Sequence, residues 1–327
     1  VAIPVNGEWQ TFPNQRAAEQ AAYQEYRDNL RRNAENFRIT DEHLGEGGPK
    51  AKYQANVAAI KLLKYLEETT GQATPEQQEV LSRYVGWGGV ADAFDPSKTA
   101  WAKEYAELKE LLTPEEYEAA RASTLNAHYT SPTVIRAIYE AVEQMGFRTG
   151  NILEPSCGVG NFFGMLPESM AGSRLYGVEL DSISGRIAQQ LYPKANITVA
   201  GFETTDRRDF YDLAIGNVPF GQYQVNDKAY NKLGFNIHNY FFAKALDQVR
   251  PGGVVAFVTN GRQGFHRAPV SGPAGRAAGG DPPAQQRFPR QCRDRCGVRH
   301  PVSAKAGPPA GHRPGLDPNR PDRGRLH

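Results

Sequence analysis

From Thr130 onward the chain alternates short apolar runs with longer amphipathic ones, and this limits its possible folds more than any other feature. Asn151–Pro155 (NILEP), Leu175–Leu180 (LYGVEL), Ile197–Gly201 (ITVAG), Tyr211–Asn217 (YDLAIGN) and Gly252–Thr259 (GGVVAFVT) each read as a strand apolar on both faces. Between them the spacing predicts helices over Pro132–Met145, Ser182–Leu191 and Phe235–Val249. Strands apolar on both faces and separated by helices belong in a parallel sheet covered on both sides. The expected fold is therefore α/β, a doubly wound and mainly parallel sheet. Such sheets bind ligands beyond the carboxyl ends of their strands, so the chemistry should sit just after each strand.

The first 122 residues lack that alternation and read as a helical N-terminal region. Gln15–Phe37 is Ala-, Glu- and Arg-rich without a breaker, and Leu44–Lys50 (LGEGGPK) is a turn cluster. Val57, Ile60, Leu63 and Leu66 recur at helical spacing within Ala51–Glu68. Thr74-Pro75-Glu76 and Thr113-Pro114-Glu115-Glu116 are helix starts, with a capping Thr and Pro in the first turn. Tyr84–Phe94 (YVGWGGVADAF) is a Gly-Trp loop in which Trp87 should pack inward. The expected organisation is a helical region over 1–122, an α/β core over 123–262 and an irregular tail over 263–327.

Composition marks the tail. Phe265–His327 holds 12 Lys and Arg against 4 Asp and Glu, whereas the residues before it carry 26 against 32. It also holds 11 of the 23 prolines and no Ile, Tyr or Glu. A back-translation of Pro269–Pro283 read one base later yields RYLAQRAELLGAIRL, a helix running into a strand. Everything after about Asn260 is therefore expected to be a shifted reading frame, with the closing strands missing. No apolar run approaches the roughly 20 residues that span a bilayer. The opening VAIPVNGEWQ has neither the basic start nor the apolar core of a leader, and starting at Val1 it reads as part of a longer chain. Three cysteines make no disulfide framework, so a cytoplasmic setting is expected. Cys292, Cys296 and His300 lack a fourth ligand at fitting spacing, so no metal site is expected.

Four motifs follow the strands. In ILEPSCGVGNFF (Ile152–Phe163), Glu154-Pro155 ends a strand, and Gly158 and Gly160 let the backbone turn close to a ligand. No complete GxGxxG and no GxxxxGK[ST] occurs, so a dinucleotide or a nucleoside triphosphate is not the expected ligand. Glu154 suits a ligand bearing an ammonium and a sulfonium. Glu179 ends the next strand in LYGVELD, with Leu180 beside it, where a carboxylate can accept from ribose hydroxyls. In GFETT (Gly201–Thr205), Phe202 suits an adenine face and Glu203 its amine. IGNVPFG (Ile215–Gly221) places Asn217, Val218, Pro219 and Phe220 in a stiffened turn at a strand end. If the Asn217 side-chain oxygen and the Val218 carbonyl accept both N–H bonds of an aromatic amine, its lone pair leaves the ring and becomes nucleophilic. Phe220 would stack on the base that carries it.

The pair Glu-Pro-x-x-Gly-x-Gly and [D/N/S]-P-P-[Y/F/W] belongs to S-adenosylmethionine-dependent amino-methyltransferases, and this chain resembles them. NVPF departs from the motif in Val218, which still offers the carbonyl. LNAHYTSPTVI (Leu125–Ile135) is similar to their amino-terminal cofactor motif at Tyr129, Thr130 and Pro132. With VGWGG, GNVPFG and HNYFFAKALDQVRPGG, residues 80–260 resemble the DNA adenine-N6 methyltransferase region of large conjugative-element and phage proteins. The resemblance implies a Rossmann-like class I fold and S-adenosylmethionine held by Tyr129, Thr130, Pro132, Glu154, Pro155, Gly158, Gly160, Phe162, Glu179, Leu180, Phe202 and Glu203. It also implies DNA as partner, catalysis at Asn217–Phe220, and a helicase domain elsewhere in the longer polypeptide. Two alternatives stand beside it: a protein glutamine N5-methyltransferase, which uses the same amine-activating turn, and a non-catalytic DNA-docking module of a helicase protein. In HNYFFAKALDQVRPGG, Tyr240, Phe241, Phe242, Ala245 and Leu246 are expected to be core.

Overall fold

A computed structural model describes residues 1–69, 71–124, 130–259 and 302–304. Its main sheet is built from β3 (Asn151–Glu154), β4 (Arg174–Glu179), β5 (Asn196–Val199), β6 (Tyr211–Asn217), β7 (Val249–Val258) and β8 (Val302–Ala304). The strands lie in the order β5-β4-β3-β6-β7-β8, parallel throughout except for antiparallel β8. This is the expected doubly wound, Rossmann-like sheet. Successive strands step outward from β3 to β5, and the chain then returns to β3's other side with β6. The crevice between the carboxyl ends of β3 and β6 is thus the switch point at which such sheets bind ligands.

The helices sit where the sequence patterns place them. α6 (Pro132–Gln144) leads into β3, α8 (Ser182–Leu191) and α9 (Ile237–Gln248) cross between strands, and a single turn, α7 (Asn161–Gly164), follows the glycine loop. Asp181 caps α8 by accepting from Ser184 N, and Asn236 caps α9 by accepting from Asn239 N. β7 starts three residues earlier than the sequence suggests, because Pro251 and left-handed Gly252 are carried within an irregular stretch of the strand.

The N-terminal region holds α1 (Gln15–Asn33), α2 (Pro49–Glu68), α3 (Pro75–Ser82), α4 (Ala102–Leu111) and α5 (Pro114–Ser123). Both Thr-Pro starts form reciprocal capping boxes, Thr74 with Gln77 and Thr113 with Glu116. Ahead of them lies a hairpin that the sequence reading passed over, β1 (Ala2–Val5) against β2 (Glu8–Thr11). Asn6 and Gly7 both adopt positive φ, as a two-residue type I′ turn demands.

One apolar core runs across both regions. Val57, Ile60, Leu63, Leu66 and Leu81 of α2 and α3 share it with Ile152 of β3 and Ile183, Ile187 and Leu191 of α8. Each such side chain, fully buried, contributes roughly 1.5–3 kcal/mol. Trp87 of the Gly-Trp loop is 1% exposed, edge-on to Phe94 and Tyr84, so it packs inward as expected. Polar ties reinforce the seam. Gln190 of α8 accepts from Ala73 N and donates to Gly71 O, and Gln78 of α3 donates back to Gln190 O. Arg186 of α8 pairs with both Glu67 and Glu116.

The tail departs from expectation at one point. Val302–Ala304, inside the segment expected to be irregular, forms an edge strand with Val254 opposite Ala304 and Ala256 opposite Val302. The sheet accepts it because β7 otherwise ends in unpaired backbone groups. The rest of the tail, with Cys292, Cys296 and His300 and most of the expected frame change, lies outside the described residues.

Gln190→Ala would leave the Ala73 amide and the Gly71 carbonyl without their partner in a buried seam. We expect a loss of about 2–4 kcal/mol in unfolding free energy, read from the denaturant midpoint; an unchanged midpoint would show that water replaces the side chain.

Candidate active site

The site is assembled at the switch point. Glu154, the last residue of β3, is 3% exposed, and its Oε2 has no hydrogen-bond partner among the described residues. Gly216 of β6 makes room for it: a Cβ there would stand 3.1 Å from Glu154 Cγ. Burial, reinforced by the charge of Glu179, pushes the Glu154 carboxyl well above the usual range. A buried acid with an unused oxygen is costly, and a cationic ligand group would relieve it.

Beside it the glycine loop turns on two left-handed residues, Gly158 at φ +56° and Gly160 at φ +84°. Nothing lies within 4 Å of where a Gly158 Cβ would stand, so its backbone is open to a ligand. At Gly160 the reverse holds, and a Cβ would run into the Tyr192 ring. Glu179 braces the loop from β4, its Oε2 accepting from Gly158 N at 2.7 Å and its Oε1 from Asp181 N at 2.8 Å. Burial lifts the Glu179 carboxyl to about 7 against the pull of those amides. Leu180, next along, is 76% exposed at the strand tip, an apolar surface free for a ligand.

β6 ends at Asn217, whose backbone carbonyl accepts from the Ser156 hydroxyl at 3.0 Å. This bond ties the turn after β6 to the loop after β3. The Asn217 side-chain oxygen is buried, Val218 is 1% exposed, and Pro219 and Phe220 are half-buried. Phe220 stacks on His238 of α9 with ring centres 5.5 Å apart and planes 25° apart. Burial holds the His238 imidazole below its ordinary pKa, toward the neutral form.

Glu154 beside Gly216, Glu179 on Gly158 and Ser156 on Asn217 thus hold these strand ends together, with Pro155, Gly160, Leu180 and Val218–Phe220 next to them along the chain. Thr130 is half-buried and Pro132 opens α6, while Tyr129 lies outside the described residues. Phe162 is placed differently from the others. It is 2% exposed, edge-on to Tyr139, because the first turn of α7 points it into the core; only its backbone borders the loop. Phe202 is 3% exposed, with its ring 5.0 Å from Phe241, so at most an edge reaches a ligand. Exposed Glu203 folds back over Gly201, where a Cβ would strike its carboxylate.

Three contributors escaped the sequence reading: Ser156, His238 and the buried pair Lys244–Asp227. Lys244 Nζ donates to Asp227 at 2.7 Å and to the Glu203 carbonyl at 3.0 Å. The only hint of it was a lysine placed among aromatic core positions in HNYFFAKAL.

No family profile matches the chain. Among curated proteins it is similar to the defense against restriction protein B of Escherichia phage P1, 27% identical over 220 residues, covering 65% of this chain and 8% of that protein. It is also similar to the type II methyltransferase M.CvrRI of Paramecium bursaria Chlorella virus XZ-6E, 39% identical over 93 residues, covering 28% of this chain and 24% of that protein. The type II methyltransferase M.TthHB8I of Thermus thermophilus is 28% identical over 166 residues, covering 45% of this chain and 37% of that protein. The chain therefore spans between 8% and 37% of the length of these relatives. Solved structures with a similar path include a TehB-like SAM-dependent methyltransferase of Corynebacterium glutamicum, 19% identical with TM-score 0.29, covering 51% of this chain and 76% of that one. The O-methyltransferase of Bacillus cereus in complex with SAH is another, 19% identical with TM-score 0.27, covering 47% and 70%.

Both acids have pKa values raised by folding, so each favours the folded state while protonated. That contribution is present at acid pH and lost as pH rises through the raised values. Glu154→Gln should therefore raise the unfolding midpoint of the unliganded chain at pH 8, with the gain fading as pH falls into the usual carboxylate range. A gain independent of pH would show that Glu154 is not a buried charge at pH 8.

Proposed function

We propose that this chain is the catalytic core of an S-adenosylmethionine-dependent methyltransferase that modifies the exocyclic N6 of adenine in DNA. One observation carries the reading: the buried, unpartnered Glu154 lies against the strand that ends in Asn217, at the switch point of a doubly wound sheet. The relatives named type II methyltransferases, and the phage relative named for defence against restriction, support the DNA substrate. The small share of the phage protein covered fits a longer polypeptide of which this is one part, with a helicase domain elsewhere in it. We also read the tail beyond Asn260 as a shifted frame, which the gene's nucleotide sequence decides.

The residues fit the cofactor. Glu154 offers its free oxygen to the ammonium of the methionine part, and the open backbone at Gly158 lets that part approach closely. Glu179 spends one lone pair of each oxygen on the loop amides and keeps the others for ribose hydroxyls. Leu180 offers one apolar wall for the adenine, and Phe202 an edge. Bound S-adenosylmethionine supplies a methyl group on a sulfonium, open to direct displacement by a nucleophilic nitrogen.

The turn after β6 makes that nitrogen nucleophilic. A flipped adenine stacks on the face of Phe220 opposite His238, and its amine donates to the Asn217 side-chain oxygen and the Val218 carbonyl. Rotation of the Asn217 side chain brings its oxygen out of the burial seen here. Two accepted hydrogen bonds draw the nitrogen toward tetrahedral geometry, so the lone pair leaves the ring. The Ser156–Asn217 bond keeps the amine close to the cofactor loop. After transfer, the nitrogen loses its extra proton to water.

Labelled-methyl transfer to DNA, offered alongside a protein substrate, tests the substrate class; label on protein, or on neither, would sink the DNA reading. Glu179→Ala should weaken S-adenosylmethionine binding by about 1.5–3 kcal/mol by calorimetry, since a charged acceptor is removed. Asn217→Ala should slow single-turnover transfer by a factor on the order of 100 while leaving cofactor affinity nearly intact, because its bonds strengthen only as the amine pyramidalises.

A further inference from the structure

The segment between the amine-binding turn and α9, residues 221–236, has no role in the chemistry above, yet it is firmly built. Its ends close on each other, with Ile237 N donating to Tyr223 O at 2.8 Å. Asp227 anchors its middle. Besides pairing with Lys244, Asp227 accepts from the Tyr240 hydroxyl at 2.8 Å and from Ala229 N at 3.0 Å. The Lys244–Asp227 side chains are only 4% and 10% exposed. Tyr230 adds a buried ring whose hydroxyl donates to Asp247 at 2.7 Å. Since Lys244 also holds the Glu203 carbonyl, the segment is pinned between the Asn217–Phe220 turn and the loop after β5.

This platform presents cations outward. Lys228 and Lys232 are exposed, and the one acid of the segment, Asp227, is consumed by the buried pair. Exposed Glu203 lies in the loop that Lys244 ties to the segment. The chain before the tail carries 26 basic groups against 32 acidic ones. A polyanion approaching that edge is repelled unless cations meet it locally. Tyr223 is 53% exposed at the foot of the segment, its ring in the space beside Gly221, next to the Phe220 turn.

We infer that residues 221–236 form a preformed DNA-binding arm, in which Lys228 and Lys232 contact backbone phosphates beside the flipped adenine and Tyr223 stacks on a neighbouring base. The inference rests on the proposed action on DNA and adds the surface that receives the duplex. Two charges are few, so the arm sets register near the crevice, and further contacts come from elsewhere in the longer protein.

The test is binding of a fluorescent mixed-sequence duplex to the full chain over a salt series, comparing wild type with Lys228→Ala/Lys232→Ala. Loss of two phosphate contacts should weaken binding on the order of tenfold at low salt and lower the slope of log affinity against log salt by about 2. The unfolding midpoint and S-adenosylmethionine affinity should not change. Wild-type affinity and slope in the double variant would overturn the arm. So would a loss seen only with single-stranded RNA, which would assign the lysines to another polymer. Methyl transfer to the same duplex is followed in parallel. Lysine-dependent duplex binding without any transfer would remove the methylation reading and keep the arm; transfer with lysine-independent binding would do the opposite.

Discussion

The loop after β3 turns on two left-handed glycines, and the Glu179 carboxylate braces the first of them. Accepting from Gly158 N and Asp181 N, it fixes the loop and the start of α8 together from the tip of a neighbouring strand. The same carboxylate raises the energy of Glu154 through like charge, in a crevice where burial already opposes ionisation. The unliganded site is thus held in order by a group whose ionisation the fold resists. Such a centre gains from a cation more than a neutral pocket would, because binding removes a penalty as well as adding contacts.

A second tie, between Ser156 and the Asn217 carbonyl, joins two strand ends that are 61 residues apart in the chain. It adds to the β3–β6 pairing, which already sets the glycine loop and the turn after β6 side by side. With it, a shift of one is passed to the other over a single hydrogen bond. Lys244 does comparable work on the far side, holding the Glu203 loop and Asp227 to α9. Both ties are polar, buried or half-buried, and made by residues with no motif of their own.

That explains what the sequence made legible. The inner strands were readable because burial on both faces leaves short apolar runs bounded by turn residues, and Ser182–Leu191 and Tyr211–Asn217 match to the residue. The positions of Glu154, Glu179 and Asn217 followed from each ending a strand, and that of Gly158 from the loop just after one. The hairpin at Asn6-Gly7 carried its turn signal but lacked the alternating flanks that usually accompany it. The inward direction of the Phe162 ring is set by a single helical turn, which spacing does not reveal. Ser156, His238 and Lys244 act through partners distant in the chain, which no local pattern encodes.

The seam between α3 and α8 has a consequence for how such a protein can change over generations. Gln72, Gln78 and Gln190 exchange bonds with backbone groups across it, and the apolar core continues through it without a break. A genetic exchange that joined a foreign leading segment at residue 122 would strip α8 of its cover and leave those amides facing the wrong surface. The helices that line this seam and the sheet behind them are therefore inherited as one piece.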